Sequence, residues 1–379
     1  MQNKLLKFCL SLALIAPFAS AARYTVFVGT YTDKGSAGIY AYRFDSWSGK
    51  LTPIGLAAGT DNPSFLALSA NHKNLYVVNE NPDPKGPFKG AVSAYSIDPK
   101  TAKLTLINRL PSRGNAPCHL SLDHSGRMLM VANYYSGTVT AYPINPNGSI
   151  GASTFFQELK GSGPDKDRQD VPHAHEAMVS PDNRFLIVPD LGSDKLWVYS
   201  IDPAAAQLHP ATPPFASVRA GFGPRHIAFH PNGRWAYSIA ELAGQVTAFR
   251  YDAPSGSLTE FQSISALAPD FKAHNQSAEI QIHPNGRFLY ASNRGPDTIS
   301  LFMIDPATGK LTASERVSSG GKEPRNFEID PTGTYVLAAN QVSGDIVTFR
   351  IDQKTGRLTP TGDKVQLSQP VDIVFLPEQ

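Results

Sequence analysis

One unit of about 50 residues repeats along this chain from end to end. Residues 74–105 show it whole: a short apolar strand, a Gly-containing turn, a second strand running into Asp-Pro, then Leu-Thr. Aligning the end of the first of these strands gives Gly29, Asn79, Asn133, Asp190, Ala240, Asn293 and Asn340. The intervals are 50, 54, 57, 50, 53 and 47 residues. Units this similar cannot each bury an apolar face alone, so they stack on one another, and function must lie where they differ.

A second periodicity supports the first. Asp45, Asp98, Asp202, Asp252, Asp305 and Asp352 each precede a Leu by six positions, and the residues between are rich in Pro, Ser, Thr and Gly. That is turn chemistry joining two antiparallel strands, and it assigns these Asp residues to capping backbone amides. The third unit breaks step with the shorter Asn145-Pro-Asn-Gly-Ser-Ile150. Each full unit reads as four strands of alternating apolar residues, for example 225–230, 235–240, 245–251 and 258–264, and no amphipathic helix is visible. The fold class predicted is therefore all-β: a seven-bladed β-propeller of four-stranded antiparallel blades, which leaves few free strand edges. The chain starts on a second-type strand (24–30) and ends on a first-type strand (370–376). The C-terminal strand is thus expected to join the N-terminal blade and close the ring.

The first 21 residues read differently. Lys4 and Lys7, an apolar run from Phe8 to Phe18 and Ala19-Ser-Ala21 form a secretory signal peptide, leaving 22–379 as one propeller domain. The apolar run is too short for a permanent membrane span. Its loss takes two lysines and no acid, so the formal net charge falls from +2 to zero. A neutral chain without basic runs excludes nucleic acid and membrane as partners and leaves a small molecule. Cys118 is then the sole cysteine, so no internal disulfide can form. The expectation is an exported protein, monomeric or weakly oligomeric.

Topology sorts the remaining residues. In each blade the start of the first strand and the end of the second share a rim with the connector between blades. One column of strand starts contains Cys118, His175, Arg225 and Arg325. The next contains His119, Glu176, His226, Glu279, Asn326 and Asp372. The column after the second strand holds Glu80, Tyr134, Glu241, Arg294 and Gln341. His119, Glu176, His226, Asn293 and Arg325 are the residues expected to bind substrate there. Several arginines near one axis suit an anionic ligand such as a sugar acid, unless Glu176, Glu241 and Glu279 neutralise them internally. The connectors 160–170 and 266–277 are long enough to cover the mouth or to remain solvated. His72, His124, His230 and His283 fall at the opposite rim, where a structural role is expected. His173-Ala-His175-Glu176 is a weak metal pattern, and no metal or other cofactor is assigned.

Phe27-Val-Gly-Thr-Tyr-Thr32 followed by Gly38-Ile-Tyr-Ala-Tyr-Arg-Phe-Asp45, with Pro172-His-Ala-His-Glu176, Gly223-Pro-Arg-His226 and Ser292-Asn-Arg294, resembles the seven-bladed propeller lactonase family. That family includes one type of 6-phosphogluconolactonase and the 3-carboxy-cis,cis-muconate lactonising enzymes. The resemblance implies a catalytic set of His175, Arg225, Glu241 and Arg294, with Arg325 also fitting the second arginine. It implies hydrolysis of a sugar or carboxylated lactone without a cofactor. Glu241 would accept the proton of the attacking water, Arg225 and Arg294 would hold the anion, and His175 would protonate the leaving alkoxide. On this scheme Glu241→Gln cuts turnover without unfolding the chain. A lactonising (cycloisomerase) reaction and a non-catalytic ligand- or protein-binding propeller are the alternatives.

Overall fold

Seven hydrophobic clusters make up the interior, and each draws its side chains from two neighbouring blades. The computed structural model describes residues 22–81 and 90–378. The proposed signal peptide lies outside the described residues. Among those residues there are 28 strands in seven four-stranded antiparallel sheets and no helix, so none is long and apolar enough to cross a membrane.

The second strand of each blade shows why the units must stack. Asn74–Asn79, Met128–Asn133, Phe185–Asp190, Trp235–Ala240 and Tyr335–Asn340 are buried at every position, because a neighbouring blade covers each face. The outermost strands, such as Lys50–Gly59, face solvent along much of their length. Closure occurs as expected. Pro370–Pro377 pairs with Arg23–Thr30 from Tyr24↔Pro377 to Thr30↔Pro370, and one cluster joins Tyr24 and Phe44 to Tyr335 and Leu337 across the seam.

Turns on the face away from the strand starts stitch blade to blade. Asp98, Asp305 and Asp352 each accept the amide two residues on, at 2.9 Å. The hydroxyls of Tyr237 and Tyr290 donate to the carbonyls of Gly309 and Gly356 in the next blade's turn, at 2.7 Å each. Gly309 has φ +73°, and a Cβ there would stand 2.5 Å from the Trp235 ring, so both conformation and space call for glycine. His230 and His283 join this set through Nε2 contacts to Gly286 and Gly333 carbonyls at 2.8 and 2.7 Å. The irregular third unit closes with a Gly148 N–H···O=C Asn145 bond of 2.8 Å and keeps only Phe155–Glu158 as its outer strand.

One irregularity decides where the axial side chains go. The pairing of first and second strands shifts register between Pro63 and Phe65, Pro117 and His119, Pro224 and His226, and Pro324 and Asn326. Each shift is a β-bulge that inserts one unpaired residue: Ser64, Cys118, Arg225 and Arg325. A bulge turns its side chain away from the ordinary alternation of faces.

Candidate active site

The strand-start rim opens into an axial cleft of about 810 Å³, lined among others by Tyr31, Glu80, Tyr134, Arg168, His175, Glu241, Arg294 and Arg325. Glu241 follows directly on Trp235–Ala240, where its amide donates to Gly223 O at 2.8 Å, and its carboxylate lies at the centre. Arg168 Nη2 donates to Oε1 at 2.6 Å and Arg294 Nη2 donates to Oε2 at 2.9 Å. Arg225 Nε lies 3.2 Å from Oε2, an ion pair out of hydrogen-bond alignment, since Nε makes no hydrogen bond. His175 Nε2 stands 3.8 Å from the same oxygen.

Charge follows from this packing. Burial pushes the Glu241 carboxyl up, but the charges of Arg294, Arg225 and Arg168 together outweigh it and bring the group down to about 2. His175 moves the other way: burial, then Arg225, His226 and Arg325, lower it well below the usual imidazole range. At neutral pH the pair is therefore a carboxylate beside a neutral imidazole. Arg325 differs from the other arginines. Its guanidinium lies over the Tyr31 ring at 5.2 Å, and Tyr31 donates to Glu80 at 2.8 Å. Among the described residues Arg325 has no ion pair within 4.0 Å and no hydrogen bond.

His175 is held by an interrupted strand. Ala174 bridges to Asp190, and the His175 amide donates to Pro189 O at 2.9 Å, before the short Met178–Val179 strand begins. Asp190 accepts the His173 amide at 2.7 Å and the Trp197 Nε1–H at 3.1 Å, fixing the segment from both sides. His173 stacks on Tyr134 at 4.5 Å, so the three polar residues of the His-Ala-His-Glu run face different surroundings. Among the described residues no three His, Cys, Asp or Glu side chains converge on a metal position. Cys118 is buried below His175, and burial drives its thiol up, which makes it a poor nucleophile.

Of the residues singled out from the sequence, His175, Glu241, Arg294 and Arg325 line the cleft. Arg225 lies beneath it, 3% exposed, with Nη1 donating to Ala278 O at 2.8 Å. The sequence puts His119, Glu176 and His226 at the rim. The structure instead sets them one layer down, lining a second axial cavity of about 700 Å³ that also contacts Glu279, Asn326 and Asp372. For His119 and His226 the bulge is the cause, since it changes the alternation at Pro117/His119 and Pro224/His226; for Glu176 it is the interrupted pairing between Ala174↔Asp190 and Met178↔Ile187. Asn293 is a brace, accepting from Ser277 Oγ at 2.7 Å and donating to Ser300 Oγ at 3.0 Å. Arg168 is the residue that sequence reasoning missed. It comes from the 160–170 connector, where the buried Gln169 donates to Leu191 O at 2.8 Å and Asp165 caps the amides of Asp167 and Arg168. A lone arginine in an irregular loop carries no periodic signal.

Comparison with known proteins agrees with this architecture. Residues 25–375 match the family described as "Lactonase, 7-bladed beta-propeller". The chain is 37% identical over 305 residues to a 6-phosphogluconolactonase of Bacillus subtilis, covering 80% of this chain and 84% of that one. It is 38% identical over 306 residues to a 6-phosphogluconolactonase of Formosa agariphila, covering 80% and 85%. Among solved structures, the periplasmic gluconolactonase of Pseudomonas aeruginosa superposes with a TM-score of 0.89 at 36% identity, covering 94% of this chain and 99% of that one.

Proposed function

The chain belongs to the seven-bladed β-propeller lactonase family, and on that premise we propose that it is an exported hydrolase opening an aldonolactone-type ring in the rim cleft. The observation that carries this reading is the pairing of neutral His175 with a Glu241 carboxylate locked by three guanidiniums. Relatives named as 6-phosphogluconolactonases and a structural neighbour named as a periplasmic gluconolactonase support the reaction class. Residues 1–21 and that periplasmic neighbour support export.

The division of labour departs from the expected one. A carboxylate at about 2 is a poor proton acceptor at neutral pH. Both Glu241 oxygens are engaged by guanidiniums, whereas His175 Nε2 makes no hydrogen bond among the described residues, so the base role falls to His175, whose ring takes a proton from water as its oxygen attacks the lactone carbonyl. The imidazolium so formed is stabilised by Glu241 at 3.8 Å. It then returns the proton to the ring alkoxide as the C–O bond breaks. Arg294 and Arg168 supply N–H groups to the developing oxyanion, a role that needs no movement of charge in the site. Arg225 reaches the reaction only through Glu241. Arg325, which lines the cleft over the Tyr31 ring and has no ion pair among the described residues, receives a hydroxyl or anionic substituent of the substrate.

His175→Asn tests this. Proton-release assays on a panel of aldonolactones, with and without phosphate, should show kcat lowered by about 10²–10⁴-fold at an unchanged unfolding midpoint. Full activity in that variant would remove His175 as the base. In the parent protein, kcat should hold as pH falls through 6.5 and decline only below it, because protonation of His175 is displaced to lower pH. A decline centred at or above 6.5 would contradict the assignment.

A further inference from the structure

Directly beneath the cleft, Arg225, His226 and Glu279 form a line of contacts that ends away from any substrate. Arg225 Nη1 lies 3.2 Å from His226 Nε2, and His226 Nδ1 lies 3.1 Å from Glu279 Oε2. All three residues are at least nine-tenths buried. A guanidinium has donors and no acceptor, so the nitrogen facing it must present a lone pair. The ring's single proton then sits on Nδ1 and is donated to Glu279. Glu279 is held in turn: Oε1 accepts its neighbour Ile280's amide at 3.0 Å, and Oε2 accepts Asn326 Nδ2 at 3.2 Å.

We propose that His226 and Glu279 are a positioning pair for Arg225, holding its guanidinium against Glu241 from below. Glu279 fixes the histidine tautomer, the tautomer presents an acceptor to Arg225, and Arg225 keeps Oε2 of Glu241 oriented toward His175. The pair acts through another residue, as outer-shell carboxylate–histidine pairs do for metal ligands. The proposal rests on the lactonase reading of the cleft. The groups around the pair are consistent with a neutral ring. His226 faces Arg225, His119, His175 and Phe65, and feels the charges of Arg325, Glu241 and Arg294. Glu279 faces Arg225 and Asn326, with Glu176, Glu328 and Asp372 as further carboxyls within electrostatic reach. Burial, then Arg225, lowers His226 well below its usual range, which keeps Nε2 free to accept.

Two substitutions at one position separate positioning from packing. His226→Gln sets an amide oxygen near the place of Nε2 and preserves an acceptor for Arg225, whereas His226→Asn reaches only the Nδ1 side. Measured with glucono-δ-lactone, His226→Asn should lose about 10–100-fold in kcat with little change in KM, and His226→Gln should recover most of that loss. Equal losses in both, or a loss confined to KM, would overturn the proposal. Should His226→Asn fold poorly, Glu279→Met removes the acceptor for Nδ1 while filling similar volume. Unchanged kcat in that variant would equally overturn it. A second readout needs no turnover: ¹⁵N-histidine spectra of the full mature chain, with His226 assigned by its loss in His226→Gln, should show the Nδ1–H tautomer. An Nε2–H tautomer sinks the positioning pair. A parent protein that opens none of the lactones sinks the lactonase reading instead.

Discussion

Glu241 carries more opposing charge than one carboxylate can neutralise. Arg168, Arg225 and Arg294 all lie within 3.2 Å of it, and two of the three are over nine-tenths buried. The sequence alone suggested that Glu241→Gln would remove activity and leave stability intact. The geometry predicts otherwise, because the amide cannot balance three guanidiniums. Breaking a buried ion pair by removing one partner costs about 3–5 kcal/mol. Glu241→Gln should therefore lower the urea midpoint markedly, while His175→Asn, which removes no charge at neutral pH, should not. Equal midpoints for both variants would contradict this charge balance. His175, Glu241 and Arg294 were legible in the sequence because each occupies a repeating column. Arg168 was not, because its loop has no counterpart in the other units.

At the scale of elements, two features convert a repetitive sheet into a site. The first is the bulge at Pro224/His226 and its equivalents. Alternation along a strand told which residues face the axis, but a one-residue insertion into the ladder leaves no mark in the hydrophobic pattern. For that reason the sequence identifies the column of His119 and His226 and not their level, and the interrupted strand before Met178 does the same for Glu176. The second is the strap over 160–171. It is packed against the blade-four turn so closely that a Cβ on Gly192 would stand 1.9 Å from the Val171 carbonyl oxygen. Backbone cannot yield there without moving the strap. Gly192→Ala should displace Arg168 from Glu241 and cost about 1–3 kcal/mol through overpacking. The expected signs are faster proteolysis within 160–171 and a fall in kcat/KM, with the far-UV spectrum preserved. Unaltered proteolysis and activity would show that the strap does not carry Arg168 to its place.

At the scale of the whole molecule, the ring was legible because its spacing is a property of the entire chain: seven similar units and complementary ends allow only a closed arrangement. What the spacing could not convey is how charge is distributed along the axis. The cleft layer concentrates guanidiniums, whereas the layer below concentrates carboxyls that, among the described residues, have no lysine or arginine in an ion pair and only Arg225 nearby. Burial accordingly raises Glu279 to about 7 and Glu328 to about 8, and lifts Glu176 and Asp372 well above their ordinary values. Stability should carry the imprint. Above about pH 7.5 the buried histidines His119, His175 and His226, all shifted downward, are neutral in the folded chain and largely neutral in the unfolded one. Between about pH 7.5 and 8.5 the buried carboxyls still change, Glu328 at about 8 and the upper part of the Glu279 titration at about 7. A carboxyl whose folded value is raised binds more protons folded than unfolded, so its favourable contribution is complete below about 4.5 and disappears as pH rises through the folded value. The urea midpoint should thus fall from about pH 7.5 to pH 8.5, the reverse of the trend that Glu241 produces below 4.5, where its depressed value makes acid destabilising. Glu279→Gln and Glu328→Gln together should flatten the decline, since an amide offers similar hydrogen bonds and cannot ionise. A midpoint that stays level or rises across this interval in the parent protein would mean that the lower axial layer is already charged, and that cations from solution or from the chain compensate it.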